Sequence, residues 1–224
     1  MRRLATTLTM AMAGTAAVAA TAEAATISIA PVKPCYLSGE LVTATGTGFT
    51  PGGQVGVGID GTSLTGGPFV ADGAGSLGLT VGLGTMRAVK THTLTATDAT
   101  NPALTASASF LGTTNTVSVK PKRGPAGTPR RLKGYGFLAG PKVFMHVRRR
   151  GYKSDKRIAR AKAPCGTFKV RKTIVPAGAR DGVYNVQFDA KRRYSKKTRP
   201  ALRGKLTVYR TLSSTAARAT LAVR

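Results

Sequence analysis

Few residues in this chain of 224 amino acids could perform acid–base catalysis or hold a metal ion. The histidines are His92 and His146, and neither belongs to an H-E-x-x-H motif or to a Cys/His cluster with metal-ligand spacing. A glycosidase needs two carboxylates in one cleft, whereas Asp60, Asp98 and Asp189 fall at predicted turns or strand ends, where carboxylates accept backbone N–H groups. Serine nucleophile motifs are also missing. The sequence therefore predicts that the protein is not an enzyme and holds neither a metal ion nor a cofactor. His146 is predicted to lie at the surface or to be partly buried.

Clustered lysines and arginines offer another chemistry, the binding of phosphate or carboxylate groups. Of the 35 Lys and Arg residues, 30 lie from position 116 onward. That part of the chain has only three acidic residues, so its net charge is +27. Positions 26–115, in contrast, contain three basic and four acidic residues. Such density attracts polyanions, and the alternative is a solvated surface that aids solubility. The candidate polyanion-binding residues, including two tyrosines that could stack on sugars or bases, are Lys120, Lys122, Arg123, Arg130, Arg131, Arg148, Arg149, Arg150, Tyr152, Lys153, Lys156, Arg157, Lys191, Arg192, Arg193, Tyr194, Lys196, Lys197 and Arg199.

Strands must position these side chains. Apolar residues occupy every second position over 143–148, 168–171 and 184–189, and mostly polar residues lie between them. This alternation predicts strands with the apolar set packed against a core and the other set facing water. Short alternating runs separated by Gly, Pro and Asp favour a sandwich of antiparallel sheets. The predicted fold class is all-β.

Three stretches repeat at offsets of about 90 residues, which predicts two copies of one domain. The matches are 26–31 with 116–121, 46–52 with 134–140, and 92–98 with 183–189. The predicted organisation is a signal peptide at 1–24, domain 1 at 25–112, a linker at 113–115, domain 2 at 116–210 and a tail at 211–224.

The first copy contains G-T-G-F-T-P-G-G-Q-V-G-V-G-I-D-G at 46–61 and A-D-G-A-G-S-L-G at 71–78. These stretches resemble the signature of bacterial extracellular immunoglobulin-like repeats of the IPT/TIG type. The second copy keeps G-x-G-F at 134–137 and P-C-G-T-F at 164–168, but has R-R-G in place of the D-G turn. The resemblance implies two tandem immunoglobulin-like β-sandwiches of the kind used as spacers, adhesins or carbohydrate-contacting modules, and it implies no chemistry.

In such a sandwich, the basic clusters at 120–133 and 148–157 fall at the free end of domain 2. The cluster at 191–199 falls at the opposite end, near domain 1. The basic surface is therefore predicted to have two poles, with further charge from Lys169 and Arg171 on exposed strand positions, and to form no single compact pocket.

The cysteines of the chain are Cys35 and Cys165. The implied topology places them in loops at the facing ends of the two domains, so a bridge between them is feasible. It would close a loop worth about 4–5 kcal/mol in the chain-entropy treatment and would fix the angle between the modules. Two free thiols or an intermolecular bridge are the alternatives.

The first 24 residues have the order of a secretory signal: a cationic start, an apolar alanine-rich stretch at 4–20, and A-E-A at 22–24. We expect cleavage after Ala24 and an exported protein, because the apolar stretch is short and interrupted by threonines and so suits a membrane anchor poorly. No later stretch is long enough for a transmembrane helix. The expected function is non-enzymatic: a neutral spacer followed by a basic domain that contacts polyanionic wall polymers or acidic glycans. The alternatives are a structural spacer without a ligand and an extracellular nucleic-acid-binding protein.

Overall fold

The computed structural model describes residues 24–209, and its regular structure is entirely β. The predicted signal segment, apart from Ala24, and the predicted tail lie outside the described residues. In the part described, no helix is long and apolar enough to cross a membrane. The strands are β1 (Thr26–Ala30), β2 (Tyr36–Leu37), β3 (Leu41–Thr47), β4 (Gln54–Ile59), β5 (Thr62–Ser63), β6 (Phe69–Val70), β7 (Leu77–Gly82), β8 (Lys90–Asp98), β9 (Thr105–Thr113), β10 (Thr116–Lys120), β11 (Arg123–Gly124), β12 (Pro129–Tyr135), β13 (Lys142–Arg149), β14 (Tyr152–Arg160), β15 (Phe168–Thr173), β16 (Gly182–Asp189) and β17 (Leu202–Val208).

The strands form two pairs of sheets with the same order. In the first unit, β1–β9, a three-stranded sheet β1-β3-β7 faces the sheet β2-β9-β8-β4-β5, to which β6 adds at β4. In the second unit, β10–β17, the sheets are β10-β12-β15 and β11-β17-β16-β13-β14. In both units the short strand β2 or β11 pairs in parallel with the last strand, and the other pairings are antiparallel. This order is immunoglobulin-like, and the predicted all-β sandwich class is confirmed.

Alternating burial gives each unit its own hydrophobic cluster. Strand β3 alternates strictly between exposed and buried residues, with Val42 and Ala44 pointing inward. In the second unit Leu132, Met145 and Tyr184 are at most 1% exposed. Burying an aliphatic or aromatic side chain of this size stabilises a fold by about 1.5–3 kcal/mol, so the small aliphatic residues of a chain without Trp still supply two cores.

In each unit the phenylalanine of the Gly-x-Gly-Phe stretch forms a hydrogen bond to a glycine in a distant turn. Phe49 and Phe137 each donate a backbone N–H to a glycine carbonyl, Gly75 or Gly166, at 3.1 Å. Both glycines have positive φ, +73° and +58°, and an added Cβ would lie 2.3 or 2.4 Å from the phenylalanine carbonyl oxygen. A side chain would therefore be strained in conformation and blocked in space, which accounts physically for these glycines.

A disulfide joins the two units. Cys35 lies between β1 and β2, and Cys165 lies between β14 and β15. The two residues are bonded, with their Cα atoms 5.2 Å apart, and both are buried. Of the three alternatives that the sequence leaves open, the structure has the intramolecular bridge.

The third repeat match is wrong by one residue. It aligns Asp98 with Asp189, but Asp98 lies on the core side of β8, whereas Asp189 lies on the outer side of β16. The strand partners show the equivalence instead: Ala96 pairs with Val57 in the first unit, as Phe188 pairs with Met145 in the second. The two carboxylates therefore occupy different environments.

Candidate functional site

Five cations share the outer face of the three-stranded sheet of the second unit. Lys120 on β10, Arg131 on β12 and Arg171 on β15 lie directly opposite one another in one row. Lys133 and Lys169 lie opposite each other in the next row. All five are exposed. We call this set the cationic face.

The same face of the first unit carries no charge. The rows there are Ala30, Thr43 and Thr80, and Ser28, Thr45 and Gly78. Its hydroxyl groups bond one another across the strands, as in the 2.9 Å contact between Ser28 Oγ and Thr45 Oγ1. Two sheets of one architecture therefore differ in whether the exposed rows are neutral or cationic.

Like charges placed opposite each other destabilise a sheet. No member of the cationic face forms an ion pair with a carboxylate within residues 24–209. One internal contact offsets part of the repulsion, because Lys133 Nζ lies 5.0 Å from the centroid of the Tyr135 ring. The face therefore has unbalanced positive charge.

Arg130, predicted to bind polyanions, has another role. Its side chain is 1% exposed, and its guanidinium donates to Pro121 O at 2.6 Å and to Gly124 O at 3.2 Å. Burial lowers the pKa of this guanidinium. Alternation places Arg130 on the inner side of β12, so it supports the β10–β11 connection and the prediction is wrong for it. Lys122 and Arg123, beside that connection, are exposed.

The basic cluster at 148–157 is partly engaged inside the protein. Arg148 contacts Asp155 at 2.5 Å, and Arg149 donates to Arg180 O at 2.6 Å. Tyr152 packs edge-on against Tyr184, with ring centroids 5.6 Å apart. Four other predicted residues of this cluster are exposed: Arg150, Lys153, Lys156 and Arg157.

His146 is fully buried, so the prediction of a surface or partly buried imidazole is wrong. It lies on the outer face of the larger sheet, where alternation predicts contact with water, but the loop at 190–201 covers it. Its Nδ1 lies 2.7 Å from Asp155 Oδ1, and its Nε2 lies 3.2 Å from Asp189 Oδ1 and 3.1 Å from Lys191 O. Burial alone would raise the pKa of Asp155, but hydrogen bonds from His146 and Arg148 bring it below its ordinary value.

The loop at 190–201 is fastened to the sheet by further hydrogen bonds. Gln187 donates to Asp189 Oδ2 at 2.6 Å and to Ser195 O at 3.0 Å. Arg203 donates to Gln187 Oε1 at 3.0 Å and to Lys196 O at 2.7 Å. Of these groups Gln187 and Asp189 are buried. Buried polar groups that satisfy one another hold a single arrangement, so the loop has a defined position over the sheet.

This position changes the predicted distribution of charge. Tyr194 of the third cluster stacks against Arg148 of the second, with the guanidinium carbon 4.2 Å from the ring centroid. The two clusters therefore meet over the same sheet, and the prediction that they occupy opposite poles is wrong. Exposed members of the third cluster are Lys191, Arg192, Arg193, Lys196, Lys197 and Arg199.

A groove opens beside the docked loop. It has a volume of about 620 Å³, and the cations that line it are Arg148, Lys196, Arg203 and Lys205. Sequence reasoning missed Arg203 and Lys205, because their alternation along β17 shows exposure but not which loop they face. Lys169 and Arg171, noted as exposed strand positions, belong to the cationic face.

The carboxylates of the first unit hold turns, as predicted. Asp98 accepts backbone N–H groups from Asn101, Thr50 and Thr100 at 2.7–2.9 Å, and these bonds lower its pKa to about 2. Hydrogen bonds from Lys90 and the Thr93 N–H lower the pKa of Asp60. Within residues 24–209 no group of three or more His, Cys, Asp or Glu side chains could hold a metal ion.

No protein-family profile and no curated protein matches the chain. Among solved structures, it is similar to the adhesin InvE of Yersinia pseudotuberculosis, at 16% identity and a TM-score of 0.34 over 82% of this chain. It is also similar to red sea bream transglutaminase, at 14% identity and 0.32 over 83%, and to the human OSCAR ligand-binding domain, at 14% and 0.29 over 83%. The chain spans 58%, 31% and 98% of their respective lengths. At TM-scores this low these likenesses carry no argument, and the immunoglobulin-like assignment is based on the strand order.

Proposed function

We propose that this protein is an exported, non-enzymatic binding protein whose second unit contacts polyanionic polymers through the cationic face. The observation that carries the proposal is the pair of cationic rows. Cations that repel one another across neighbouring strands are expected where a ligand supplies the missing negative charge.

The geometry of the face suits a linear polymer. Neighbouring strands lie about 4.8 Å apart, and residues two apart on a strand are separated by about 6.6 Å. Positive charges therefore repeat at short intervals over an exposed surface. Lys and Arg side chains in such an arrangement contact successive phosphate or carboxylate groups without reading the units between them. The binding is expected to be strong at low salt and weak at high salt.

The first unit is proposed to act as a neutral spacer. Its exposed hydroxyl rows offer no charge to a polyanion, and the Cys35–Cys165 bond connects it to the second unit. A buried disulfide suits an oxidising compartment, which supports export as the predicted signal segment does. The strand order and the Gly-x-Gly-Phe turns support the further proposal that both units are tandem repeats of the bacterial extracellular IPT/TIG type.

The partner is proposed to be an acidic polymer of the cell envelope or an acidic glycan. Nucleic acid is the weaker candidate, because protein sites for single strands use free aromatic faces on which bases stack. The two tyrosines predicted to provide such faces are engaged internally, Tyr152 with Tyr184 and Tyr194 with Arg148.

Matched charge variants of the full mature chain test the proposal. The face variant replaces Arg131, Lys133, Lys169 and Arg171 with Gln. The control variant also removes four exposed cations of the second unit, and its substitutions are Lys142→Gln, Arg160→Gln, Lys162→Gln and Arg180→Gln. Both variants lose four positive charges, so any difference in their binding measures the effect of where the removed charges lie.

Retention on beads coated with polyphosphate, polyuronate or single-stranded DNA is followed as salt rises. We expect the face variant to elute from the first two at clearly lower salt than the wild type, and the control variant to elute near the wild type. Equal shifts for the two variants would show that net charge alone drives binding. Tighter retention on DNA than on both other polymers would contradict the choice of partner.

A further inference from the structure

The groove beside the loop at 190–201 is a second basic site, on the sheet opposite the cationic face. Its floor is the outer side of β16 and β17, where Asn185 lies in register between Lys205 and Arg148. The docked loop forms one wall with Tyr194 and Lys196. The volume of about 620 Å³ falls in the usual range for sites that bind small ligands.

The charge of this groove is unbalanced. Arg148 is neutralised by Asp155 at 2.5 Å. Lys196, Arg203 and Lys205 form no ion pair with a carboxylate in the described part of the chain, and no carboxylate lines the groove. Three cations around one cavity therefore favour an anionic occupant.

Arg203 is held in place before any ligand arrives. Its Nε donates to Gln187 Oε1 at 3.0 Å, and its Nη2 donates to Lys196 O at 2.7 Å. Gln187 is in turn fixed by Asp189 and the loop. A guanidinium with a fixed orientation loses little conformational freedom on binding an anion, and its remaining N–H groups suit phosphate or carboxylate oxygens.

The other lining groups suit hydroxyls. The Asn185 side chain is exposed and provides both a donor and an acceptor, and Tyr194 adds a phenol and an apolar ring edge. We propose that the groove binds a saccharide unit that bears a carboxylate or a phosphate, with Arg203, Lys196 and Lys205 around the anionic group and Asn185 beside the ring hydroxyls. This site is independent of polymer binding by the cationic face.

The test introduces a negative charge into the groove with almost no change of shape. In the full mature chain, Asn185→Asp places a carboxylate between Lys205 and Arg148, where it repels an anionic ligand but is stabilised by its neighbours. The matched control is Gln54→Glu, at an exposed strand position of the first unit. If the melting temperature of Asn185→Asp is no lower than that of the wild type, a loss of binding is not caused by a loss of folding.

Titrations monitored by amide NMR use a glucuronate disaccharide, glucose 6-phosphate, a neutral disaccharide and inorganic phosphate as probes. We expect the wild type to bind at least one acidic saccharide with perturbed signals at Asn185 and Lys205, and to bind the neutral sugar and free phosphate at least about tenfold more weakly. We expect Asn185→Asp to weaken that binding at least about tenfold and Gln54→Glu to leave it unchanged. The glucuronate and glucose 6-phosphate arms show which anionic group is preferred.

Three results would overturn the proposal: binding of neither acidic sugar, equal affinity for free phosphate, or binding that survives Asn185→Asp. The same variant should keep full retention on polyphosphate-coated beads, which carry no saccharide. Failure of the groove and failure of the cationic face are therefore distinguishable.

Discussion

Replacing Arg131 with Thr is expected to stabilise the protein while weakening polymer binding. Arg131 is the middle cation of its row and lies directly opposite both Lys120 and Arg171. Thr is the residue at the matching position of the first unit, Thr43, so the substitution suits the same strand and the same exposed environment.

The size of the effect follows from the two repulsions that disappear. Like charges directly opposite on a sheet cost up to about 1 kcal/mol per pair, so Arg131→Thr should raise the free energy of unfolding by about 0.5–2 kcal/mol at low salt. The screening length is about 30 Å at 0.01 M ionic strength and about 3 Å at 1 M. The Cβ atoms of directly opposite residues are about 5 Å apart, which exceeds the screening length at 1 M, so the gain should nearly vanish in 1 M salt.

Urea unfolding of the oxidised mature protein at 0.01 M and 1 M NaCl measures this difference. Lys162→Thr is the control, because Lys162 is exposed and pairs with Thr167, which is neutral. A stabilisation specific to Arg131→Thr and lost in high salt is the expected result. A destabilised Arg131→Thr variant, or the same gain at both salt concentrations, would refute the electrostatic account of the cationic face.

Peptide mapping of the non-reduced protein should find a linked Cys35–Cys165 peptide, and separately alkylated cysteines would contradict it. Gly178→Ala should lower the unfolding free energy by about 1–2 kcal/mol, because the φ of +77° is strained for alanine. The space around the added Cβ is open, so no steric clash adds to this cost. Gly166→Ala should cost more in the same denaturation experiment, since its Cβ would also lie 2.4 Å from a carbonyl oxygen; equal costs would show that the clash is relieved. Because the pKa of Asp98 is lowered from 3.8 to about 2, its ionised form stabilises the fold above pH 4, and this contribution is lost as the pH falls through about 2. The stability difference between the wild type and Asp98→Asn should therefore shrink over that window, and a constant difference would contradict the assignment.

Alternation and turn glycines make much of the fold predictable. The inward set of β13, including Val143, Met145 and Val147, is buried as expected, because period-two burial is a local property of a strand. The positive φ of Gly48 and Gly136 in the Gly-x-Gly-Phe stretches is likewise a local property, since only glycine suits a positive φ in close contact with backbone.

The sites were less predictable because they depend on distant pairing. That Arg131 faces both Lys120 and Arg171 follows from the register of three strands, which alternation within one strand does not specify. His146 is polar and on the outer face, so its burial depends on the docking of a loop more than forty residues away in sequence. Arg130 differs in the other direction, because it is charged but buried. The neighbouring cations Arg131 and Lys133 lie on the outer side of β12, whereas Arg130 lies on its inner side.

The central claim, that the cationic face binds polyanions, is tested most directly by the salt dependence of binding. The logarithm of the binding constant for polyphosphate, plotted against the logarithm of salt concentration, falls with a slope set by the number of phosphates contacted, about 0.7 per contact for a flexible single strand. The variant lacking Arg131, Lys133, Lys169 and Arg171 should have a slope shallower by about 3 than that of the wild type, whereas the control variant with four other cations removed should keep the wild-type slope. Parallel plots for the wild type and the face variant would contradict the account.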